Sequence, residues 1–142
     1  MRLKVLKFDK TLPDLQYAKS GDVAFDLRSA EDNYTLKPME WKIFKTGIAM
    51  ELPEKHVGNI RDRSGMAGKY AIHVMGGIID PGYRGEIGVV LINLGGKDFV
   101  VEKYMRIAQM LVQPVEIVDF EFVDKLSETE RGEGGFGSTG RK

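Results

Sequence analysis

Apolar residues in this chain come in short runs of Val, Ile, Leu, Phe and Tyr, broken by Gly, Pro, Asn and Asp. Runs of that length between turn-forming residues predict β-strands. The candidates are Arg2–Phe8, Val23–Leu27, Tyr34–Leu36, Trp41–Met50, Val57–Arg61, Ala71–Val74, Ile87–Leu94, Phe99–Glu102 and Ile107–Pro114. The run Asn93-Leu94-Gly95-Gly96-Lys97 is expected to join two strands as a hairpin. No long stretch keeps the 3.6-residue spacing of an amphipathic helix. Only Ser64–Tyr70 is expected to make a helical turn or two, with Ser64 as its N-cap. Trp41 is expected in a core or an interface. The pattern therefore predicts one all-β domain over residues 1–130, with at most one short helix. Residues 131–142 are too rich in glycine to hold a shape alone and are expected to be a flexible arm that orders on a ligand or partner.

Composition narrows the function. The 142 residues are 42% hydrophobic, enough for one packed domain that still gains from burying surface against partner subunits. Lys plus Arg balance Asp plus Glu at 21 each, which argues against a general nucleic-acid or membrane-surface binder but not against a local Arg cluster. There is no cysteine, so disulfides, thiolate zinc sites and Cys nucleophiles are excluded. The two histidines, His56 and His73, make a His-based metal centre improbable and are expected to be structural or surface groups. The opening MRLKVLKFDK lacks the apolar centre of a signal peptide, and no run reaches membrane-spanning length. A soluble cytoplasmic protein is the expectation.

Four segments could carry chemistry. Around Arg61-Asp62-Arg63-Ser64-Gly65, free backbone N–H groups, a hydroxyl and the Arg63 fork suit an anion, although on this piece alone a plain surface turn is the favoured reading. Gly77-Ile78-Ile79-Asp80-Pro81-Gly82-Tyr83 looks like a hairpin tip; Asp80 either serves the turn or accepts a proton from water beside a substrate. In Arg106-Ile107-Ala108-Gln109-Met110, strand alternation places Arg106 and Gln109 on opposite faces, so the two are not expected to share a task. The tail formally contains Gly132-x-Gly134-x-x-Gly137, yet no helix can follow it, so it is not a dinucleotide fingerprint. Its N–H donors, Arg131, Ser138 and Thr139 could instead wrap a polyphosphate, with Phe136 laid on a flat base.

In this order, and with Ala24-Phe25-Asp26-Leu27-Arg28-Ser29 ahead of them, these segments resemble the five motifs of the homotrimeric dUTPase family. The resemblance runs from Ala24 almost to the end of the chain. It implies a distorted β-barrel or jelly-roll-like subunit in a threefold homotrimer. Each active site would lie at a subunit interface and be completed by a neighbour's tail. It implies Mg²⁺-assisted hydrolysis of dUTP to dUMP and pyrophosphate. Asp80 would be the general base. Tyr83 would pack under the deoxyribose, and the backbone from Gly77 through Ile78 and Ile79 to Tyr83 would read uracil. Arg63, Ser64, Gly65 and Gln109 would hold phosphates. Arg131, Gly137, Ser138 and Thr139 would close over them, with Phe136 above the base. Asp26 would reach Mg²⁺ through water.

The chain departs from the family pattern in three places. Ala24 replaces the usual Gly of the first motif. Asp62 stands where Pro commonly precedes the second, a negative charge unfavourable beside a phosphate unless Arg61 offsets it. Tyr104-Met105 stands where Gly-Asp commonly precedes the fourth, and because Tyr does not adopt positive φ cheaply, that turn is expected to be rebuilt. The alternatives are a dCTP deaminase-like enzyme of the same fold, or a non-catalytic nucleotide-binding protein.

Overall fold

A computed structural model describes residues 1–135. In chain order it comprises β1 (Lys4–Lys7), β2 (Phe25–Arg28), β3 (Tyr34–Leu36), β4 (Trp41–Lys45), β5 (Ile48–Glu51), β6 (His56–Arg61), α1 (Ser64–Tyr70), β7 (Ile72–Met75), β8 (Ile78–Ile79), β9 (Gly88–Asn93), β10 (Phe99–Val101) and β11 (Arg106–Pro114). The expected β-rich chain with one short helix is what forms. Its strands make four antiparallel ladders, β1–β5, β3–β10, β4–β9–β7 and β2–β11–β6–β8, rather than a closed barrel.

Period-two alternation builds the core. Along β9, Val89, Leu91 and Asn93 are buried while the residues between them are half-exposed. Phe44 from the neighbouring strand β4, and Leu27, Leu36, Ile107 and Met110 from other ladders, join them, each essentially without solvent contact. Trp41, by contrast, is 59% exposed and does not belong to this core. Among the described residues no helix is long and apolar enough to cross a membrane.

Three connections differ from the sequence reading. The run Trp41–Met50 breaks at Thr46–Gly47, where Gly47 N donates to Glu86 Oε1 at 2.9 Å and Thr46 Oγ1 to Ile87 O at 2.7 Å, so its halves join different ladders. Residues 93–97 are not a hairpin, because β9 and β10 do not pair. Buried Asn93 redirects the chain: its Nδ2 donates to Leu36 O at 2.9 Å and Lys97 O at 2.8 Å, and its Oδ1 accepts from Gly95 N at 2.9 Å. A fully satisfied buried amide of this kind fixes the crossover to β3. The Asp80 segment is likewise a turn, closed by Tyr83 N donating to Asp80 O at 3.1 Å, and not a paired hairpin: β8 pairs with β6, and β9 with β4 and β7.

Candidate functional site

A single irregularity in β11 assembles the site. Arg106 lies opposite Arg28 of β2, Ala108 opposite Leu27 and Gln109 opposite Asp26, so Ile107 is one residue too many on β11. That bulge resets the alternation. Ile107 and Ala108 are both buried, and Arg106 and Gln109 fall on the same face, contrary to their expected separation.

That face opens on a cleft of about 640 Å³ lined by Asp26, Arg63, Ser64, Gly65, Arg106 and Gln109, among others. Asp26 is its electrostatic centre. Arg63 Nε donates to Oδ1 at 2.8 Å, and Arg106 Nη1 lies 3.3 Å from Oδ2. Arg63 also donates from Nη1 to Arg106 O at 3.2 Å, which ties α1 to β11. Gln109 Nε2 donates to Asp62 O at 2.7 Å. The lining carries Arg63, Arg106 and Lys69 against Asp22 and Asp26, leaving one positive charge in excess. A partly desolvated cleft with that balance attracts anions.

The start of α1 adds donors. Ser64 does not cap the helix; Arg63 holds the N-cap position, without a side-chain cap bond. Arg63 O accepts from Met66 N at 2.9 Å and Ala67 N at 3.0 Å, while the N–H groups of Ser64 and Gly65 have no intrahelical acceptor. The Asp62 charge is not offset by Arg61. Its Oδ1 accepts from Val74 N at 2.6 Å and its Oδ2 lies 2.9 Å from His73 Nδ1, so it is occupied in fastening β6 to β7.

The other expected site residues lie apart from this cleft. Gly77 O accepts from Ile60 N at 2.7 Å, anchoring the segment that carries Ile78, Ile79 and Asp80 beside β6. Asp80 is exposed and does not line the cleft. Tyr83, 45% exposed, donates its hydroxyl to Glu86 O at 2.9 Å and stacks across Gly85. Arg131 is exposed, with Nε donating to Gly134 O at 3.0 Å. Phe136, Gly137, Ser138 and Thr139 lie outside the described residues.

The donor set bears on the implied Mg²⁺. Among the described residues no three acidic or histidine side chains come together as a protein cage. Mg²⁺ commonly keeps its waters and takes few protein oxygens beside substrate phosphates. One cleft carboxylate, Asp26, fits a water-mediated contact of that kind. Arg106 is the cleft residue that the sequence reading missed: period two set it on the face opposite Gln109, and only the register shift at the bulge reveals its place.

The dUTPase family model matches residues 10–140. A deoxyuridine 5'-triphosphate nucleotidohydrolase of Clostridium tetani is 50% identical over 143 residues, covering 99% of this chain and 97% of that protein. The dUTPase of Staphylococcus bacteriophage 80alpha with dUPNHPP, a dUTP analogue, superposes with a TM-score of 0.87 at 30% identity, covering 98% of each chain. A dUTPase mutant from phage phi11 of S. aureus, in which a structural Mg(II) ion is coordinated, has a TM-score of 0.80 at 22% identity over 88% of this chain and 98% of that one, and so shares the fold.

Proposed function

The chain belongs to the dUTPase family of dUTP nucleotidohydrolases, and from that premise we propose how its residues divide the reaction. The observation that carries the proposal is the meeting of Asp26, Arg63, Ser64, Gly65 and Gln109 in one cleft with net positive charge. This cleft receives the triphosphate. Arg63 supplies forked donors, Ser64 and Gly65 supply free N–H groups, and Gln109 offers the second hydrogen of its amide. Arg106 joins this set.

Asp80 is the general base. Its carboxylate takes a proton from the water that attacks the α-phosphorus; the bond to the bridging oxygen breaks, and pyrophosphate leaves with the electron pair. A base held this way typically contributes roughly 10²–10⁴-fold. Tyr83 packs under the deoxyribose, and the backbone from Gly77 to Tyr83, including Ile78 and Ile79, reads uracil. When bound with the substrate, Mg²⁺ supplies charge neutralisation of the phosphates and of the leaving pyrophosphate. Asp26 would hold it through water.

Asp80 and the Asp26 cleft do not meet within one chain. We therefore assign the complete site to the junction of subunits in a homotrimer, closed by the 131–142 arm with Arg131, Phe136, Gly137, Ser138 and Thr139 over the substrate. Supporting this, the stretch after β11 displays Ile117, Phe120 and Phe122 at 74%, 82% and 96% exposure, a run of apolar side chains suited to burial against another surface. A cytoplasmic location accords with a freely diffusing nucleotide substrate.

Pyrophosphate release from dUTP, dCTP, dTTP and UTP, with and without Mg²⁺, tests the reading. It requires preference for dUTP and stimulation by Mg²⁺. Turnover of dCTP with ammonia release would instead support the deaminase alternative.

A further inference from the structure

The turn before β11 has not been rebuilt to suit its side chain. Tyr104 holds φ at 61°, in the left-handed region that disfavours a bulky residue. Its backbone is clamped: Tyr104 N donates to Ser29 O at 2.7 Å, Ser29 N to Met105 O at 3.0 Å, and Arg28 Nη1 to Tyr104 O at 2.8 Å. Its side chain is anchored 95 positions away, where the hydroxyl donates to Asp9 Oδ2 at 2.6 Å. Thr11 Oγ1 lies 2.6 Å from both the Tyr104 hydroxyl and Asp9 Oδ1, and Thr11 N donates to Asp9 Oδ1 at 2.8 Å. Two residues after this turn the chain reaches Arg106, and then the bulge at Ile107 that turns Arg106 and Gln109 toward one cleft.

We propose that Tyr104 is a positioning residue for the dUTP cleft: its tether to Asp9 and Thr11 holds a strained turn from which β11 enters its bulge with Arg106 and Gln109 on the substrate face. The inference rests on the phosphate-holding role given to that cleft. Strain at a non-glycine residue persists only where surrounding contacts over-determine it. Cutting the tether leaves only the backbone clamp to Ser29 and Arg28 against the strain, so the turn relaxes in part of the population and fewer molecules present a competent cleft. Apparent affinity then falls in proportion to the lost population, while bound substrate still turns over.

The test is steady-state dUTP hydrolysis by Tyr104→Phe, Asp9→Asn, the double variant and Tyr104→Gly, with melting temperatures alongside. Tyr104→Phe keeps the ring and the strain but loses the tether. It is expected to raise KM about five-fold with kcat within about two-fold, the scale of one ordinary hydrogen bond. Asp9→Asn should do the same, and the double variant no more than either single one, because both cut one link. Tyr104→Gly loses ring and tether but also the strain, so its KM should return to within about two-fold of the native value. A residue serving only packing would give the opposite order, with Phe milder than Gly. Phe44→Leu, in the core of another ladder, should lower the melting temperature without moving KM. Gln109→Ala separates the two levels of the argument. If it raises KM while Tyr104→Phe and Asp9→Asn do not, the tether proposal falls and the cleft assignment stands. If none of the three moves KM, the cleft assignment falls and takes the proposal with it.

Discussion

Gly76 and Gly77 precede the Asp80 turn, and they allow a controlled comparison. Both have positive φ, 72° and 108°. A Cβ on Gly76 would meet nothing within 4 Å, whereas one on Gly77 would lie 2.6 Å from Ile60 O and 3.3 Å from Ile60 Cβ. Gly76→Ala therefore costs only the left-handed conformation, about 1 kcal/mol. Gly77→Ala adds a collision with backbone that no rotamer relieves. To escape it, the chain must pull away from β6, giving up the Ile60 N to Gly77 O bond and the pairing of Asn59 with Ile78 and Gly58 with Ile79. At about 1 kcal/mol for each bond lost, beyond the conformational cost, the total is about 3–4 kcal/mol. In a domain of this length that is a fall in Tm of about 12 °C, against about 4 °C for Gly76→Ala. The same displacement moves Asp80, so kcat/KM for dUTP should fall at least about ten-fold in Gly77→Ala and no more than about three-fold in Gly76→Ala. Thermal unfolding followed by circular dichroism, together with a pyrophosphate-release assay, reads both quantities. Equal losses in the two variants would refute the claim that close approach to Ile60 fixes the base-bearing turn.

Other perturbations address the separate roles. Asp80→Asn should bind dUTP yet turn it over at least about 10²-fold more slowly, and a near-native kcat would remove Asp80 as the base. Tyr83→Ala should raise the rate on UTP relative to dUTP, which side-by-side initial rates would reveal. Deleting residues 131–142 should abolish turnover while leaving the size-exclusion profile of the assembly unchanged; full activity would end the closing-arm reading. The Thr11 hydroxyl, then the Tyr104 hydroxyl and Thr11 N, hold the Asp9 carboxyl down at about 2. A depressed folded-state value stabilises the native chain above the ordinary carboxylate range, and that contribution is lost as pH falls toward about 2. The Tm gap between native protein and Asp9→Asn should therefore be constant from pH 5 to 8 and shrink through pH 4 to 2, and a gap independent of pH would contradict the tether.

Local chemistry was legible wherever neighbours in sequence decide it. The helix Ser64–Tyr70 and the strand Tyr34–Leu36 form over the residues their pattern marks. Asp26, Arg63, Ser64, Gly65 and Gln109, drawn from three separate motifs, line one cleft. What escaped the sequence depends on distant partners. Alternation places Arg106 and Gln109 on opposite faces until the pairing with β2 inserts a bulge between them. Tyr104 is a poor match for positive φ on its side chain alone, and its anchors at Asp9, Arg28 and Ser29 are what hold it there. The Asn93 segment carries hairpin residues, yet buried amide bonds to Leu36 and Lys97 direct it across the fold. Two-residue β8 is too short to show any periodicity; β6 defines it by pairing.

The cleft is also prepared for substrate without first having to come apart. Arg63 is committed to Asp26 through Nε and to Arg106 O through Nη1. A guanidinium has five N–H donors in a rigid fork, so these contacts fix its plane and leave three hydrogens for phosphate oxygens. Asp26, in return, is held between two guanidiniums and cannot swing to follow a ligand. On the proposed reading an incoming triphosphate adds to the network instead of competing with Asp26 for Arg63, and little reorganisation opposes binding. Asp80, the proposed base, lies on a separate, exposed turn. On the proposed reading, a lone chain can hold the phosphates but cannot set Asp80 over the α-phosphorus, so chemistry waits for the two surfaces to meet. On that reading the division keeps a further carboxylate, beyond Asp22 and Asp26, out of the phosphate cleft, where its charge would repel the substrate, until assembly supplies it from the side on which water attacks.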